Sequence, residues 1–153
     1  MLSISRGKRG SRAIKSVTPR FRVEDKTPIV AVVDDDPAVC GSLKLSLELE
    51  GFGVRTFGGA AELLSTLDFE VCDCFVIDQR MTGMTGMELI ATLRGLNVQA
   101  RMILIVGQPS PAVSARAARA GVAVVEKPLL GNALFDKIRQ ACGTARCDAI
   151  TPS

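Results

Sequence analysis

Histidine, tryptophan and tyrosine are absent from the 153 residues, and phenylalanine occurs only six times. Without histidine the commonest general base and metal ligand is missing, and with it any Ser-His-Asp or Cys-His relay. The shortage of aromatics gives little support to stacking on nucleic acid bases. The five cysteines, Cys40, Cys72, Cys74, Cys142 and Cys147, include no C-x-x-C pair. A disulfide framework or a structural zinc site wants an even set at ligand spacing. Cys72 and Cys74 are spaced to share one face of a strand, which leaves a metal or redox use open. Free cysteine more often packs as a small buried hydrophobe, and the set points to a reducing cytoplasm. No apolar run reaches the roughly 18 residues of a membrane span, so insertion into a membrane is not expected.

Hydrophobic residues make up 47% of the chain and charged residues 23%, which supplies one real core for a single domain and excludes wholesale disorder. The net charge of +3 hides an asymmetry. Residues 1–27 hold eight Lys or Arg against Glu24 and Asp25, a net of +6, which leaves residues 28–153 at −3. This N-terminal stretch has no sustained apolar periodicity and reads as a disordered extension. It has no 7–15-residue apolar core of a secretory signal; its Arg/Ser-rich start resembles a transit peptide in composition. A solvated extension and an arm for nucleic acid or an anionic membrane are both open. Residues 28–142 carry the domain, and residues 143–153 are a short tail.

From Pro28 onward, short apolar runs alternate with amphipathic ones. Ile29 to Val33 reads as a strand buried on both faces. Asp36 is placed to cap a helix with Pro37 at its first position, and that helix stops at Gly51, a natural C-terminal residue. Strand runs follow at Phe52 to Phe57, Cys74 to Ile77, Met102 to Val106 and Val122 to Val125. Helical runs follow at Ala60 to Leu67, Met87 to Leu93, Ala112 to Ala120 and about Leu130 to Cys142. Five strands alternating with five helices predict an α/β fold with a parallel sheet covered on both faces.

In such a sheet, ligands collect outside the carboxyl ends of the strands. Asp34 and Asp35 end the first strand, Asp78 the third, and Lys127 the fifth. Carboxylates crowded together repel one another, and a divalent cation relieves the repulsion. Oxygen ligands of this kind suit magnesium, which keeps several waters and favours one or two carboxylates plus a phosphate. Lys127 adds a compact positive charge able to grip a phosphoryl oxygen. A carboxylate in that setting is a nucleophile for phosphoryl transfer through an aspartyl-phosphate.

These residues carry a resemblance. Val32-Val33-Asp34-Asp35-Asp36-Pro37 resembles the acidic-pair segment of the receiver domain of bacterial two-component response regulators. Asp78-Gln79-Arg80-Met81-Thr82-Gly83-Met84-Thr85-Gly86 is similar to that family's phosphoacceptor signature, D-x-x-M-P-x-M-[ST]-G, and Glu126-Lys127-Pro128 to its Lys-Pro element, where the peptide bond is usually cis. The similarity covers about residues 28–142 and is closest in character to receivers of nitrogen-fixation-type regulators. It implies a flavodoxin-like doubly wound sheet of order 2-1-3-4-5. It implies further that Asp78 accepts phosphate from a sensor histidine kinase and that Mg²⁺ is held by Asp35, Asp78 and the backbone carbonyl of Arg80, with Asp34 supporting. Lys127 would pair with the phosphoryl group.

Three positions depart from the pattern. Thr82 replaces a proline, expected as a mild loosening of the loop. The Ser/Thr that ends the fourth strand in the family falls at Val106, which has no hydroxyl; Gln108 or Ser110 is a possible substitute. The aromatic of the fifth strand falls at Val124, in a segment one residue short. The surface switch, and not the phosphoacceptor, is therefore the degenerate part. The expectation is a single-domain response regulator of the cytoplasm, not an enzyme beyond Mg²⁺-assisted self-phosphorylation and dephosphorylation. Its partners would be the kinase and another response regulator or a phosphotransfer protein, without direct DNA binding. The alternative is a pseudo-receiver whose docking ignores phosphorylation. A flavodoxin-like or phosphatase-type hydrolase fits less well, because position 80 is Arg where a second acid would stand and no flavin phosphate loop follows the first strand.

Overall fold

Five runs of β-branched and apolar residues set the architecture, and each is closed by a charge, a glycine or a proline. A computed structural model describes residues 27–66, 71–108, 110–129 and 131–143. In chain order the elements are β1 (Ile29–Val33), α1 (Pro37–Leu49), β2 (Gly53–Phe57), α2 (Ala60–Ser65), β3 (Cys74–Asp78), α3 (Gly86–Gly95), β4 (Arg101–Val106), α4 (Pro111–Arg119), β5 (Ala123–Glu126) and α5 (Ala133–Cys142). The sheet order is β2-β1-β3-β4-β5, and every pairing is parallel. This is the expected doubly wound, flavodoxin-like order.

The sheet separates two hydrophobic clusters. On one face Ala31, Val33, Phe75, Ile77, Leu104 and Val106 pack with Leu63 of α2, Ile90 and Leu93 of α3, and Ala117 of α4. On the other, Val30, Val32, Val76, Ile103 and Ile105 pack with Leu43 and Leu47 of α1 and Leu134 and Ile138 of α5. The central strands are buried on both faces, which is why they read as continuous apolar runs.

Helix starts follow the capping signals. Asp36 caps α1 by accepting from the Ala38 N–H at 2.9 Å, with Pro37 at the first position. Thr85 and Glu88 form a reciprocal capping box at the start of α3. Several ends moved by one to three residues. The second helix, expected to reach Leu67, stops at Ser65 because Thr66 is extended. The last helix begins at Ala133 and not at Leu130, since Gly131 sits at φ +71° and turns the chain just before it. The expected N-terminal extension, except Thr27, and the expected C-terminal tail, except Gly143, lie outside the described residues.

Candidate phosphoacceptor site

The acidic and basic residues singled out above gather at the carboxyl ends of the strands. Asp34 directly follows β1, Asp78 is the last residue of β3, and Lys127 directly follows β5. Parallel pairing in register levels these ends: Val33 is opposite Ile77, Asp78 opposite Ile105, and Val106 opposite Glu126. The pairing continues past the strands, since the N–H of Gln79 donates to the Ile105 carbonyl at 2.9 Å and that of Lys127 to the Val106 carbonyl at 2.8 Å. Lys127 is thereby anchored by backbone, and its Nζ lies 2.9 Å from Asp78 Oδ1. The peptide bond from Lys127 to Pro128 is cis, as the resemblance implies.

Burial divides the carboxylates. Asp34 and Asp78 are each only 4% exposed, whereas Asp35 is exposed. Burial pushes the Asp34 carboxyl above the usual carboxylate range; the N–H of Asp36, bound at 2.9 Å, pulls the other way, the charges of Asp78 and Asp35 push it further up, and Lys127 offsets them in part. Asp35 is held below the usual range, chiefly by hydrogen bonds from the Thr82 backbone N–H at 2.9 Å and the Thr82 hydroxyl at 3.0 Å. The hydrogen bond to Asp78 raises the Lys127 ammonium above its ordinary value.

Two negative charges are thus buried against one ammonium, with a third close by. Such a site is short of positive charge. Among the described residues no three Asp, Glu, His or Cys side chains form a ready-made metal cage, so the carboxylates are less tightly convergent than the sequence suggests. Magnesium does not require a cage; it keeps its waters and takes one or two carboxylates. Asp35, Asp78 and a carbonyl donor on the β3–α3 loop, where Arg80 lies exposed, therefore suit that ion in donor type and charge.

The β4–β5 side of the site is apolar. Val106 is 3% exposed and belongs to the cluster that also holds Leu104 and Ala117, and half-buried Val124 packs against that cluster. Ser110, one candidate for the missing hydroxyl, is the N-cap of α4 and accepts from the Val113 N–H at 3.1 Å. Gln108 is exposed.

Two expectations need correction. Thr82 does not loosen its loop: it has an N–H that proline lacks, and with its hydroxyl it ties the β3–α3 loop to Asp35. Cys72 and Cys74 do not share a face, because β3 begins only at Cys74; Cys72 packs in one hydrophobic cluster and Cys74 in the other. Gln79 and Gly86, matched in sequence only as members of the signature, have structural roles of their own: Gln79 Oε1 accepts from the Met87 N–H at 2.9 Å, and Gly86 permits a close approach. A Cβ at Gly86 would lie 2.7 Å from the Asp78 carbonyl oxygen and 2.6 Å from Leu104 Cδ1. The Thr85-x-x-Glu88 spacing was the available signal for the first turn of this helix.

A buried carboxylate paired with lysine at the strand ends, near an acidic pair and on a sheet of this order, is the arrangement of a receiver domain. Residues 30–139 match the response regulator receiver domain family, and the chain belongs to that family. It is 29% identical over 120 residues to the response regulator protein TodT of Pseudomonas putida, covering 78% of this chain and 53% of that protein. It is 31% identical over 126 residues to the transcriptional regulatory protein FixJ of Bradyrhizobium diazoefficiens, covering 79% and 62%. The chain thus spans about half the length of the first of these relatives. A CheY-like receiver domain protein from Methanospirillum hungatei superposes with a TM-score of 0.72 at 27% identity, over 80% of this chain and 99% of that one. Among the described residues no helix is long and apolar enough to cross a membrane.

Proposed function

We propose that Asp78 accepts a phosphoryl group from the phosphohistidine of a sensor histidine kinase, and that the domain signals by contact with other proteins through a weakened conformational switch. The observation that carries this reading is the 2.9 Å pair between Lys127 and the buried Asp78. An Asp78 oxygen attacks phosphorus, the P–N bond breaks, and its electron pair leaves with the imidazole nitrogen. Lys127 is positioned to follow the charge onto a phosphoryl oxygen. Asp35, Asp78 and the Arg80 carbonyl would hold Mg²⁺ with support from Asp34; when bound, the ion offsets the surplus negative charge and polarises the phosphoryl group. Another response regulator or a phosphotransfer protein is the second class of partner. The free thiols of Cys40, Cys74 and Cys142 fit a cytoplasmic setting.

Buried Val106 supports a second reading, a pseudo-receiver whose docking ignores phosphorylation. Intact-mass measurement after incubation with acetyl phosphate and Mg²⁺, and with the kinase, separates the two. The first reading expects the mass of one phosphoryl group on the wild type and none on Asp78→Asn. A wild type that never gains that mass with its kinase belongs to the second.

A further inference from the structure

Thr82 stands where the phosphoacceptor signature has proline, and it ties the acidic pair to the β3–α3 loop. Its backbone N–H and its hydroxyl both reach the same atom, Asp35 Oδ2, at 2.9 and 3.0 Å across 47 residues of sequence. Proline could make neither bond, having no N–H and no hydroxyl. A carboxylate oxygen has about two lone-pair sites, so Oδ2 is fully committed to Thr82.

We propose that Thr82 is a latch on Asp35, which ties up one carboxylate oxygen while the site is metal-free, leaves only Oδ1 open to Mg²⁺, and loosens as the ion draws charge from the carboxylate. The inference rests on the metal reading of the preceding subsection. Asp35 is the exposed member of the acidic set and so the one a hydrated ion meets first. Both bonds are charge-assisted and stronger than neutral ones. Mg²⁺ gives up its waters reluctantly, and a carboxylate whose charge is already shared with two donors offers it a poorer oxygen. A ligand whose binding-competent state is only fractionally populated shows an apparent affinity reduced by that fraction. Thr82 therefore lowers the Mg²⁺ affinity and couples arrival of the ion to a weaker tie on the β3–α3 loop. It acts through Asp35 and is a positioning residue.

The test is calorimetric Mg²⁺ titration of the full chain, beside NMR observation of the residue 82 amide. Thr82→Val keeps the N–H and loses the hydroxyl, and should bind Mg²⁺ roughly three- to tenfold more tightly. Thr82→Pro loses both donors and should bind more tightly still; Thr82→Ser keeps both and should match the wild type. In the wild type the residue 82 amide proton should move upfield as Mg²⁺ is added, reporting a weaker bond to Asp35. If the Thr82→Val and Thr82→Pro variants bind no more tightly while Asp35→Ala still abolishes binding, the latch is overturned and the metal site stands. Should Thr82→Pro fail to fold, Thr82→Val and the amide shift decide alone. Mg²⁺ binding that Asp35→Ala leaves unchanged removes the metal reading, and the latch with it.

Discussion

Strands β3 and β4 end side by side with opposite chemistry. β3 closes on Asp78, buried and tied to Lys127; β4 closes on Val106, equally buried but among hydrocarbon side chains. At the first end a carboxylate meets an ammonium. At the second Val106 has a methyl where a threonine would have a hydroxyl, and Val124 has no ring. On the proposed reading, capturing a phosphoryl group and reporting it are separate tasks with separate residues, the first set present and the second weakened. A ligand shifts a conformational equilibrium only by its differential interaction with the two states. On the proposed reading, a phosphoryl group on Asp78 makes few contacts on the β4–β5 side and has little to shift.

The strongest way to break this comparison is to restore the missing hydroxyl. A hydrogen bond to a charged group contributes roughly 1.5–3 kcal/mol, about a tenfold to hundredfold change in population. In the wild type, hydrogen exchange over residues 106–140 should change little on adding beryllofluoride, a phosphoryl mimic. In Val106→Thr the same addition should produce a clear, cooperative change, against a cost of about 1 kcal/mol for burying the hydroxyl without the mimic. A large response already in the wild type would mean that Gln108 or another group supplies the contact.

A second test loads the acidic end with a methyl group. Gly86→Ala would place Cβ 2.7 Å from the Asp78 carbonyl oxygen and 2.6 Å from Leu104 Cδ1. The leucine methyl can move aside, but the carbonyl is that of Asp78 itself, at the end of β3. The variant should lose about 1–3 kcal/mol in urea unfolding, seen as a lower midpoint at unchanged slope. A lower slope as well would mean that the compactness of the folded or unfolded state, or two-state unfolding itself, had changed.

How much of this could be read from the chain depends on range. Continuous apolar runs mark β1, β3 and β4 because burial on both faces leaves no place for a polar residue, and Asp34 and Asp78 mark the strand ends because charge is excluded one residue earlier. At β5 the edge strand already ends on exposed Glu126, just before Lys127. Local caps such as Asp36 were legible for the same reason: the group they satisfy lies within a turn. The Thr82–Asp35 bonds join two loops 47 residues apart, and no periodicity encodes which loops meet above a sheet. Gly86 was silent too, since the atoms its Cβ would strike belong partly to β4. The face reversal of Cys72 and Cys74 turned on where a strand begins, and strand ends are the least determined part of an alternating pattern.

The smallest expected effect concerns charge at the acidic end. The Asp34 carboxyl is held above the usual range chiefly by burial, and the charges of Asp78 and Asp35 add to that. The folded protein therefore keeps the Asp34 proton to higher pH than the unfolded chain does. Stability contributed by that proton is present at low pH and is lost as pH rises from the ordinary carboxylate value through the raised one. An asparagine side chain in its place would carry no ionisable proton and would still accept from the Asp36 N–H through its amide oxygen. Asp34→Asn should accordingly be more stable than the wild type at neutral pH, by about 1 kcal/mol or roughly 4 °C in Tm. The gain should shrink toward zero near pH ~3, where Asp34 is protonated in both states. Thermal unfolding of the two proteins across that range is the measurement. Val106 and Val124 have no counterpart to this effect, since neither titrates, and conservative changes at those two positions should leave the pH profile alone. If Asp34→Asn is no more stable at neutral pH, Lys127 already balances the buried carboxylates. The surplus negative charge that argues for a cation at this end of the sheet would then be absent.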